Sequence, residues 1–350
     1  MAEHTVSPTR FFFLAAVLLP LAAANVKFTV LHFNDFHARI EPDDETHTWC
    51  DERAMDSGAC HGGIARMKTI IDKELALGNH VIVLNAGDNF IGTLWDYHFK
   101  GNATAQFMTQ LDITVMTLGN HDFDYGPDLL ADFLKGLPFP VVGTNVNANG
   151  HEIGKYIKKY HIIDIEGNLI GICGSTTKLT MEWSKPEPVT IEDPILKAKE
   201  CIQELKLKGV EIIIMLTHDG NKNDARMAEI VPGIDLIVGG HSHTFLYTGE
   251  PPALSFAHGQ PHRDKPDGPY PVWQVSRVEP NRTIPILQAS WASRYMGRAV
   301  VEFDSQGELV SLTGAPILLG SKTSENPVEE NPEFKRQIKE LKEHWDEYQQ

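Results

Sequence analysis

The stretch from Gly119 to Gly126 reads G-N-H-D-F-D-Y-G and places an amide, an imidazole and two carboxylates directly after an apolar run. Such a density of polar groups is unfavourable in a core and ordinary in a solvated loop. It becomes informative because similar clusters occupy the same position relative to other predicted strands. These clusters are Asn34-Asp35-Phe36-His37, Gly87-Asp88-Asn89, Thr217-His218-Asp219-Gly220 and Gly239-Gly240-His241-Ser242-His243.

Each cluster alone is weak evidence for a site, because Gly-Asp pairs are ordinary turn residues and most isolated His-x-His pairs make surface or core hydrogen bonds. Sheets of α/β proteins, however, place ligands at the carboxyl ends of their strands, so five clusters in that position predict one shared site. Two divalent metal ions about 3.5–4 Å apart need a bridging carboxylate, neutral imidazoles and oxygen donors. Asp88 suits the bridge. Because the clusters contain no cysteine, they favour zinc or manganese with mixed nitrogen and oxygen ligands over a closed structural zinc site.

The elements that must position these clusters are strands that alternate with helices. Asp193-Pro194 predicts the start of a helix that ends near Lys208. Another helix is indicated by an apolar face that consists of Ile64, Met67, Ile71 and Leu75. Runs rich in Val and Ile predict buried strands at 26–33, 81–84, 113–118, 141–142, 210–216 and 234–238. This alternation predicts an α/β layer architecture.

The later part of the chain follows a different pattern. Segments 162–176 and 284–303 predict hairpins or paired strands, and 250–282 predicts an irregular, proline-rich excursion. Pro332 predicts the start of a terminal helix with one apolar stripe. The stripe consists of Phe334, Ile338, Leu341 and Trp345. It must either dock on the same domain or connect to a second one.

The charge balance limits the possible partners. A formal net charge of -16, with no marked block of Lys or Arg, makes nucleic acid and anionic membranes poor partners. An acidic protein still acts on phosphates when metal ions supply the local positive charge.

The N-terminus predicts secretion. Arg10 precedes an apolar run, Phe11 to Ala24, that ends in small residues and is too short for a comfortable membrane span. We expect a signal peptide that is cleaved near Ala24, no transmembrane segment, and no lipid-anchor signal at the polar C-terminus. A soluble secreted protein is therefore predicted, with an uncleaved anchor as the less favoured alternative.

The cysteines and glycosylation sequons fit that compartment. Cys50 and Cys60 flank a polar loop that a disulfide would close, whereas the apolar contexts of Cys173 and Cys201 slightly favour buried free thiols. Sequons begin at Asn102 and Asn281 and predict a glycoprotein.

As an ordered set, the five clusters resemble the calcineurin-like metallophosphoesterases, and specifically the 5'-nucleotidase family of ecto-5'-nucleotidases, apyrases and UDP-sugar hydrolases. The resemblance runs from about Lys27 to the end and is strong in the stretch from His241 to Gly249, H-S-H-T-F-L-Y-T-G. It implies a layered α/β metallophosphoesterase fold in which helices sandwich the β-sheets. It also implies hydrolysis of nucleotides by metal-activated water, with two divalent ions, zinc or else manganese, as cofactors.

The resemblance also implies residue roles. The ligands of the first ion would be Asp35, His37, Asp88 and His243, and those of the second Asp88, Asn120, His218 and His241. His121 and Asp124 resemble the family's catalytic dyad. Asp122 is interpreted as structural and His32 as a core residue. Surface positions are expected for the histidines His61, His80, His98, His258 and His262.

The implied domain organisation has three parts: a signal peptide at 1–24, a catalytic domain at 25–320, and a linker with a terminal helix at 321–350. The family's second, substrate-binding domain is expected to be absent, which would weaken selection between esters. Asp219 differs from the small or apolar residue that the family pattern predicts. The alternatives to a secreted nucleotide phosphohydrolase are a non-catalytic secreted protein that binds nucleotides or a partner, and an incomplete fragment.

Overall fold

The computed structural model describes Met1, residues 25–254 and residues 261–343. The predicted signal peptide, His258 and Trp345 lie outside the described residues. The strands are β1 (Val26–Phe33), β2 (Val81–Asn85), β3 (Val115–Thr117), β4 (Val141–Val142), β5 (Val146–Asn147), β6 (Ile157–Lys158), β7 (Tyr160–Ile165), β8 (Asn168–Thr176), β9 (Thr190–Ile191), β10 (Ile212–His218), β11 (Leu236–Val238), β12 (Val272–Val275), β13 (Thr283–Leu287), β14 (Tyr295–Phe303), β15 (Leu309–Gly314) and β16 (Ile317–Leu318). The α-helices are α1 (Glu52–Ser57), α2 (Ile64–Ala76), α3 (Leu94–Phe99), α4 (Asn102–Met108), α5 (Pro127–Lys135), α6 (Thr180–Trp183), α7 (Pro194–Leu207), α8 (Asn221–Ile230) and α9 (Pro332–Glu343). Two 3₁₀ helices cover His121–Phe123 and Glu152–Lys155.

Most strands belong to two sheets. The first sheet has the order β15-β14-β1-β2-β3-β4-β6, with β16 paired to β14, and its strands β1 to β4 are parallel. The second sheet has the order β12-β13-β11-β10-β8-β7, and its inner strands β8, β10, β11 and β13 are parallel. The carboxyl ends of the inner strands therefore define one functional edge in each sheet.

Apolar side chains fill the space between the sheets and cover their outer faces. Val30, Leu84 and Leu216 belong to the cluster between the two sheets, and all three are fully buried. Helices α2, α4, α5 and α9 contribute to a cluster with the first sheet, and α7 and α8 contribute to one with the second. This arrangement confirms the predicted layered α/β fold, with helices outside two packed sheets.

The local sequence signals explain two of these helices. The Asp193 carboxylate accepts a hydrogen bond from the Leu196 amide at 2.8 Å, and Pro194 occupies the first turn of α7, as predicted. In α2, Ile64, Met67 and Ile71 are buried as expected. Leu75, on the same face, is 40% exposed, because the last turn of α2 projects into solvent.

The predicted hairpin at 162–176 is confirmed by the antiparallel pair β7 and β8. The pairing expected within 284–303 was wrong. β13 lies beside β11 in the second sheet, whereas β14 pairs with β1 in the first, so the chain crosses from one sheet to the other between them. The described residues of the proline-rich region 250–282 include the edge strand β12.

The terminal helix α9 docks on the same domain. Phe334 and Ile338 are buried in the cluster that includes α2, and the Phe334 ring centroid lies 5.4 Å from that of Phe107. The Asn331 side chain caps the helix by accepting a hydrogen bond from the Phe334 amide at 3.1 Å. Leu341 packs against the same cluster. Of the two alternatives for the apolar stripe, docking on the same domain is therefore the one observed.

Two expectations about buried side chains need correction. Cys173 and Cys201 form a disulfide instead of remaining free, because β8 packs face to face with α7 and brings their Cα atoms to 6.5 Å. Cys50 and Cys60 also form a disulfide, which closes the polar loop as the sequence indicated. His61 is buried and not at the surface, because that loop folds back under Ser324, whose Oγ lies 3.3 Å from His61 Nδ1.

Within the described ranges, no helix has the length and apolar character required to cross a bilayer.

Candidate metal centre

The predicted site residues converge where the two sheets meet. Asp35 and His37 follow β1, Asp88 follows β2, and the segment with Asn120, His121 and Asp124 follows β3, all in the first sheet. His218 ends β10, and His241 and His243 follow β11, in the second sheet. The five sequence clusters therefore form one site, as the strand-end argument predicted.

The first donor group consists of Asp35, His37 and His243, whose ligand atoms all lie within 4.8 Å of one another. His243 Nε2 lies 3.2 Å from Asp35 Oδ1 and 3.3 Å from His37 Nε2. His37 Nδ1 donates to the Ile91 carbonyl at 2.8 Å, so the neutral ring presents the lone pair of Nε2 to the centre. Burial lowers the pKa of His37, which favours this neutral, ligating form.

The second donor group consists of Asp88, His218 and His241, again with ligand atoms within 4.8 Å. His218 Nδ1 donates to the Ala86 carbonyl at 2.6 Å and leaves Nε2 directed at Asp88 Oδ2, 3.0 Å away. His241 Nδ1 lies 2.8 Å from Asn120 Oδ1, so the predicted amide ligand is adjacent to this group. Burial lowers the pKa of His241 to about 4 and keeps its imidazole neutral.

Asp88 lies between the two groups, which is the position a bridging carboxylate requires. Its Oδ2 is 3.9 Å from His37 Nε2 of the first group and 3.0 Å from His218 Nε2 of the second. Burial alone would raise the pKa of Asp88, but His218 and His37 hold it below its usual value. The carboxylate is therefore ionised and faces both donor groups.

The donor set fits a pair of divalent cations. His218 Nε2 is buried, lies 3.0 Å from Asp88 Oδ2 and has no hydrogen bond of regular geometry. Burial would lower the pKa of His218, but the carboxylates of Asp88 and Asp35 raise it to about 10, as expected beside two buried negative charges. Imidazole nitrogens with carboxylate and amide oxygens are the ligands of catalytic zinc or manganese sites.

The backbone is strained at five of the proposed donors. Asp35 and His37 have φ of 50°, Asp88 has φ of 58°, and His241 and His243 have φ of 73° and 53°. Residues other than glycine rarely adopt this left-handed region, and such residues cluster at functional sites. The left-handed conformation lets these loops turn sharply, so that their side chains point toward the same centre.

Gly119 permits the close approach of two of these loops. A Cβ atom at Gly119 would lie 2.1 Å from Asp88 Oδ1, so any larger residue would displace the Asp88 carboxylate. The same oxygen accepts a hydrogen bond from the His121 amide at 2.8 Å. The loop after β3 therefore supports the loop after β2 directly.

His121 and Asp124 form a hydrogen-bonded pair at the mouth of the centre. His121 Nδ1 lies 2.6 Å from Asp124 Oδ2, and the His121 side chain is 37% exposed. The hydrogen bond to Asp124 raises the pKa of His121 against the opposing effect of burial. An imidazole held in this way can donate a proton or a hydrogen bond to a group bound above the donor atoms.

Two other carboxylates lie near the centre and do not join the donor groups. Asp122 accepts hydrogen bonds from the amides of Asn89 and Gly119, each at 2.8 Å, as expected for a structural residue. Burial, with the nearby charge of Asp88, raises the pKa of Asp122 to about 6. Asp219 is buried and accepts a hydrogen bond from Ser175 Oγ in the second sheet. His32 is a buried core histidine whose Nε2 lies 2.9 Å from the Tyr270 hydroxyl.

Three contacts around the centre were not predicted from the sequence. The Trp291 ring stacks on His243, with centroids 4.7 Å apart and planes 7° apart. The Trp183 ring lies 5.7 Å from His241, and Ser184 Oγ donates to the Asn120 carbonyl at 2.7 Å. These residues belong to none of the repeated clusters, so the only available signal was the presence of Trp in otherwise polar loops.

Residues 28–245 match the family described as calcineurin-like phosphoesterase. The chain belongs to this family of metallophosphoesterases, and within it to the 5'-nucleotidase family.

Its relatives include snake venom 5'-nucleotidase from Naja atra, which is 37% identical over 306 residues, 86% of this chain and 55% of the relative. The 5'-nucleotidase of Bos taurus is 37% identical over 323 residues, 91% of this chain and 54% of the relative. A solved 5'-nucleotidase precursor from Thermus thermophilus is 34% identical and superposes with a TM-score of 0.78 over 90% of this chain and 58% of that one. The chain thus spans about half the length of the relatives that it matches.

Proposed function

We propose that this chain is a secreted phosphohydrolase that uses two divalent metal ions, zinc or else manganese, to release phosphate from nucleotides. The observation that carries this proposal is the shared position of Asp88 between two Asp/His donor groups, beside the His121–Asp124 pair. Similarity to 5'-nucleotidases supports nucleotides as the substrate class.

The first ion would be held by Asp35, His37, Asp88 and His243, and the second by Asp88, Asn120, His218 and His241. When bound, such ions polarise a phosphoryl oxygen and lower the pKa of water, which makes it a nucleophile at neutral pH. The strained strand-end loops hold the donors in place before an ion arrives. The Ile91 and Ala86 carbonyls fix the tautomers of His37 and His218.

His121 would act on the substrate itself. Its Nδ1 is bound to Asp124, so Nε2 is the ring nitrogen free to face a phosphate ester. The raised pKa of His121 favours the protonated ring. An imidazolium in that position stabilises negative charge on the phosphoryl oxygens and donates a proton to the departing alkoxide.

Secretion is supported by the two disulfides, Cys50–Cys60 and Cys173–Cys201, since disulfides persist in oxidising compartments. The Asn281 sequon is exposed in a turn before β13 and is suited to glycosylation, whereas Thr104 of the Asn102 sequon is buried. We expect a glycan at Asn281.

The decisive experiment measures phosphate release by the purified chain from AMP, ADP, ATP, a UDP-sugar and an aryl phosphate. The assay is run with zinc, with manganese, and with a chelator. Turnover that the chelator abolishes and added metal restores is expected. A folded, metal-loaded protein that hydrolyses none of these esters would contradict the proposal and favour the non-catalytic binding protein.

A further inference from the structure

A cavity of about 830 Å³ lies beside the metal centre, and both aromatic and charged side chains line its walls. The rings of Trp49, Trp95, Tyr97 and Tyr125 line it, together with Leu94. Its volume lies within the range of small-molecule sites, which are mostly apolar with a few placed polar groups. We call this space the aromatic cavity.

The wall of the aromatic cavity adjoins residues of the metal centre at three places. Ile91, on its wall, accepts the hydrogen bond that orients His37. Tyr125 directly follows Asp124 of the predicted dyad. Arg39, also on the wall, lies 5.7 Å above the Trp291 ring, which stacks on His243. A ligand with its phosphate at the donor groups therefore has the aromatic cavity as an adjoining space.

Several of the apolar groups in the cavity are exposed and therefore available to a ligand. Trp49 is 65% exposed, Tyr97 67% and Leu94 63%. Grouped exposure of this kind marks binding surfaces, whereas single exposed apolar residues do not. The other rings are held in place: the Tyr125 hydroxyl donates to Asp96 at 2.7 Å and the Trp95 indole donates to Glu41 at 3.0 Å.

We propose that the aromatic cavity binds the nucleoside part of the substrate, with the heterocyclic base stacked on the Trp49 and Tyr97 rings. This inference rests on the proposed function, because it takes the phosphate to lie at the metal centre. Aromatic faces favour a flat heterocycle over a sugar or an alkyl group, since stacking adds to the free energy of burial. Selection of the ester would then reside, at least in part, in this domain.

The test compares two phosphate esters that differ only in the base. The ratio of kcat/KM for AMP to kcat/KM for ribose 5-phosphate is measured in wild type, Trp49→Ala and Tyr97→Ala. Because base stacking on an aromatic ring contributes roughly 10-fold or more to affinity, we expect this ratio to fall by about 10-fold in each variant. Trp273→Ala is the matched control, since Trp273 is 47% exposed on β12 and does not line the cavity.

A binding measurement separates this inference from the proposed function. Adenosine, which has no phosphate, is titrated by calorimetry into metal-free protein, and the Trp49→Ala variant is expected to bind it about 10-fold more weakly. If adenosine binding weakens in the variant while the wild type hydrolyses no ester, base binding in the aromatic cavity is supported and the proposed phosphohydrolase function is contradicted. If the variants hydrolyse AMP with an unchanged kcat/KM ratio and bind adenosine with unchanged affinity, base binding in the aromatic cavity is contradicted. The proposed phosphohydrolase function would still be supported. Wild-type protein that binds no adenosine would also overturn the cavity.

Discussion

The two sheets make chemically different contributions to the same centre. The first sheet supplies the carboxylates Asp35, Asp88 and Asp124, together with His37, Asn120 and His121. The second supplies imidazoles alone, from His218, His241 and His243. Each donor group therefore combines carboxylate from the first sheet with imidazole from the second, and neither sheet forms a complete group by itself.

Hydrogen bonds connect the two contributions. The His218 ring donates to the Ala86 carbonyl after β2, and the His241 amide donates to Asp35 Oδ2 at 2.9 Å. Both bonds cross from one sheet to the other. The comparison teaches that all carboxylates of the donor groups come from one sheet and most of the imidazoles from the other, so both groups are complete only when the sheets pack correctly.

The largest expected effect comes from the shared carboxylate. Asp88→Asn removes a charge common to both donor groups, so we expect both ions to be lost and phosphate release to fall below detection. Metal content by mass spectrometry and turnover are measured together. Asp128→Asn, an exposed carboxylate on α5, is the control. Two retained ions per chain in Asp88→Asn would contradict the bridging role.

A smaller loss is expected when a first-sheet residue outside the donor groups is removed. His121→Ala eliminates the imidazole at the mouth, and turnover should fall by roughly 10²–10⁴-fold, the usual contribution of a positioned proton donor. Metal content should match wild type, because His121 belongs to neither donor group. His80→Ala removes a surface histidine as a control. Full activity in His121→Ala would eliminate the dyad assignment.

The two disulfides allow the sheets to be compared by stability. Cys173–Cys201 closes 28 residues in the second-sheet half, and Cys50–Cys60 closes 10 residues in the loop after β1. Loop-closure entropy predicts that the double change Cys173→Ala/Cys201→Ala lowers the free energy of unfolding by about 4 kcal/mol, against about 3 kcal/mol for Cys50→Ala/Cys60→Ala. Urea unfolding of both variants checks the order. A reversed order would show that packing around the bonds outweighs loop length.

The smallest expected effect concerns the pH dependence of stability in the first-sheet half. Burial, together with Arg294 and Arg66, lowers the pKa of His61 to about 3. The unfolded chain then binds a proton below about pH 6.5 that the folded chain does not, so this group reduces stability by about 2 kcal/mol between pH 7 and pH 5. His61→Gln should lose that part of the decline, as measured by urea unfolding at the two pH values. An identical decline in the variant would show that His61 is protonated in the folded state.

The layered α/β architecture and the convergence of the polar clusters could both be predicted from the sequence. Period and composition distinguish strands from helices, and donors such as Asp88 and His218 could be placed because strand ends carry a local signal. Assignment of a strand to a sheet is not local. Strands β13 and β14 are similar apolar segments, yet they pair in different sheets, so their separation could not be read from residues 284–303.

Contacts that depend on the packing of one element against another could not be predicted from the sequence either. The disulfide between Cys173 and Cys201 requires β8 to face α7, and the burial of His61 requires its loop to fold under Ser324. The stacking of Trp291 on His243 depends on where the chain crosses between the sheets. The left-handed backbone of five donors follows from the loops as a whole, since Asp and His tolerate this conformation better than most residues but do not impose it.

The position of the donor atoms on two separate layers has a thermodynamic consequence. An ion that needs Asp35 of one sheet and His243 of the other is bound by the folded chain and not by the unfolded one, so occupancy adds to the free energy of unfolding according to ion concentration and affinity. The melting temperature measured against metal concentration therefore reports metal binding. Each ion that suits the centre should raise it in proportion to the logarithm of its concentration, which ranks metals without any substrate.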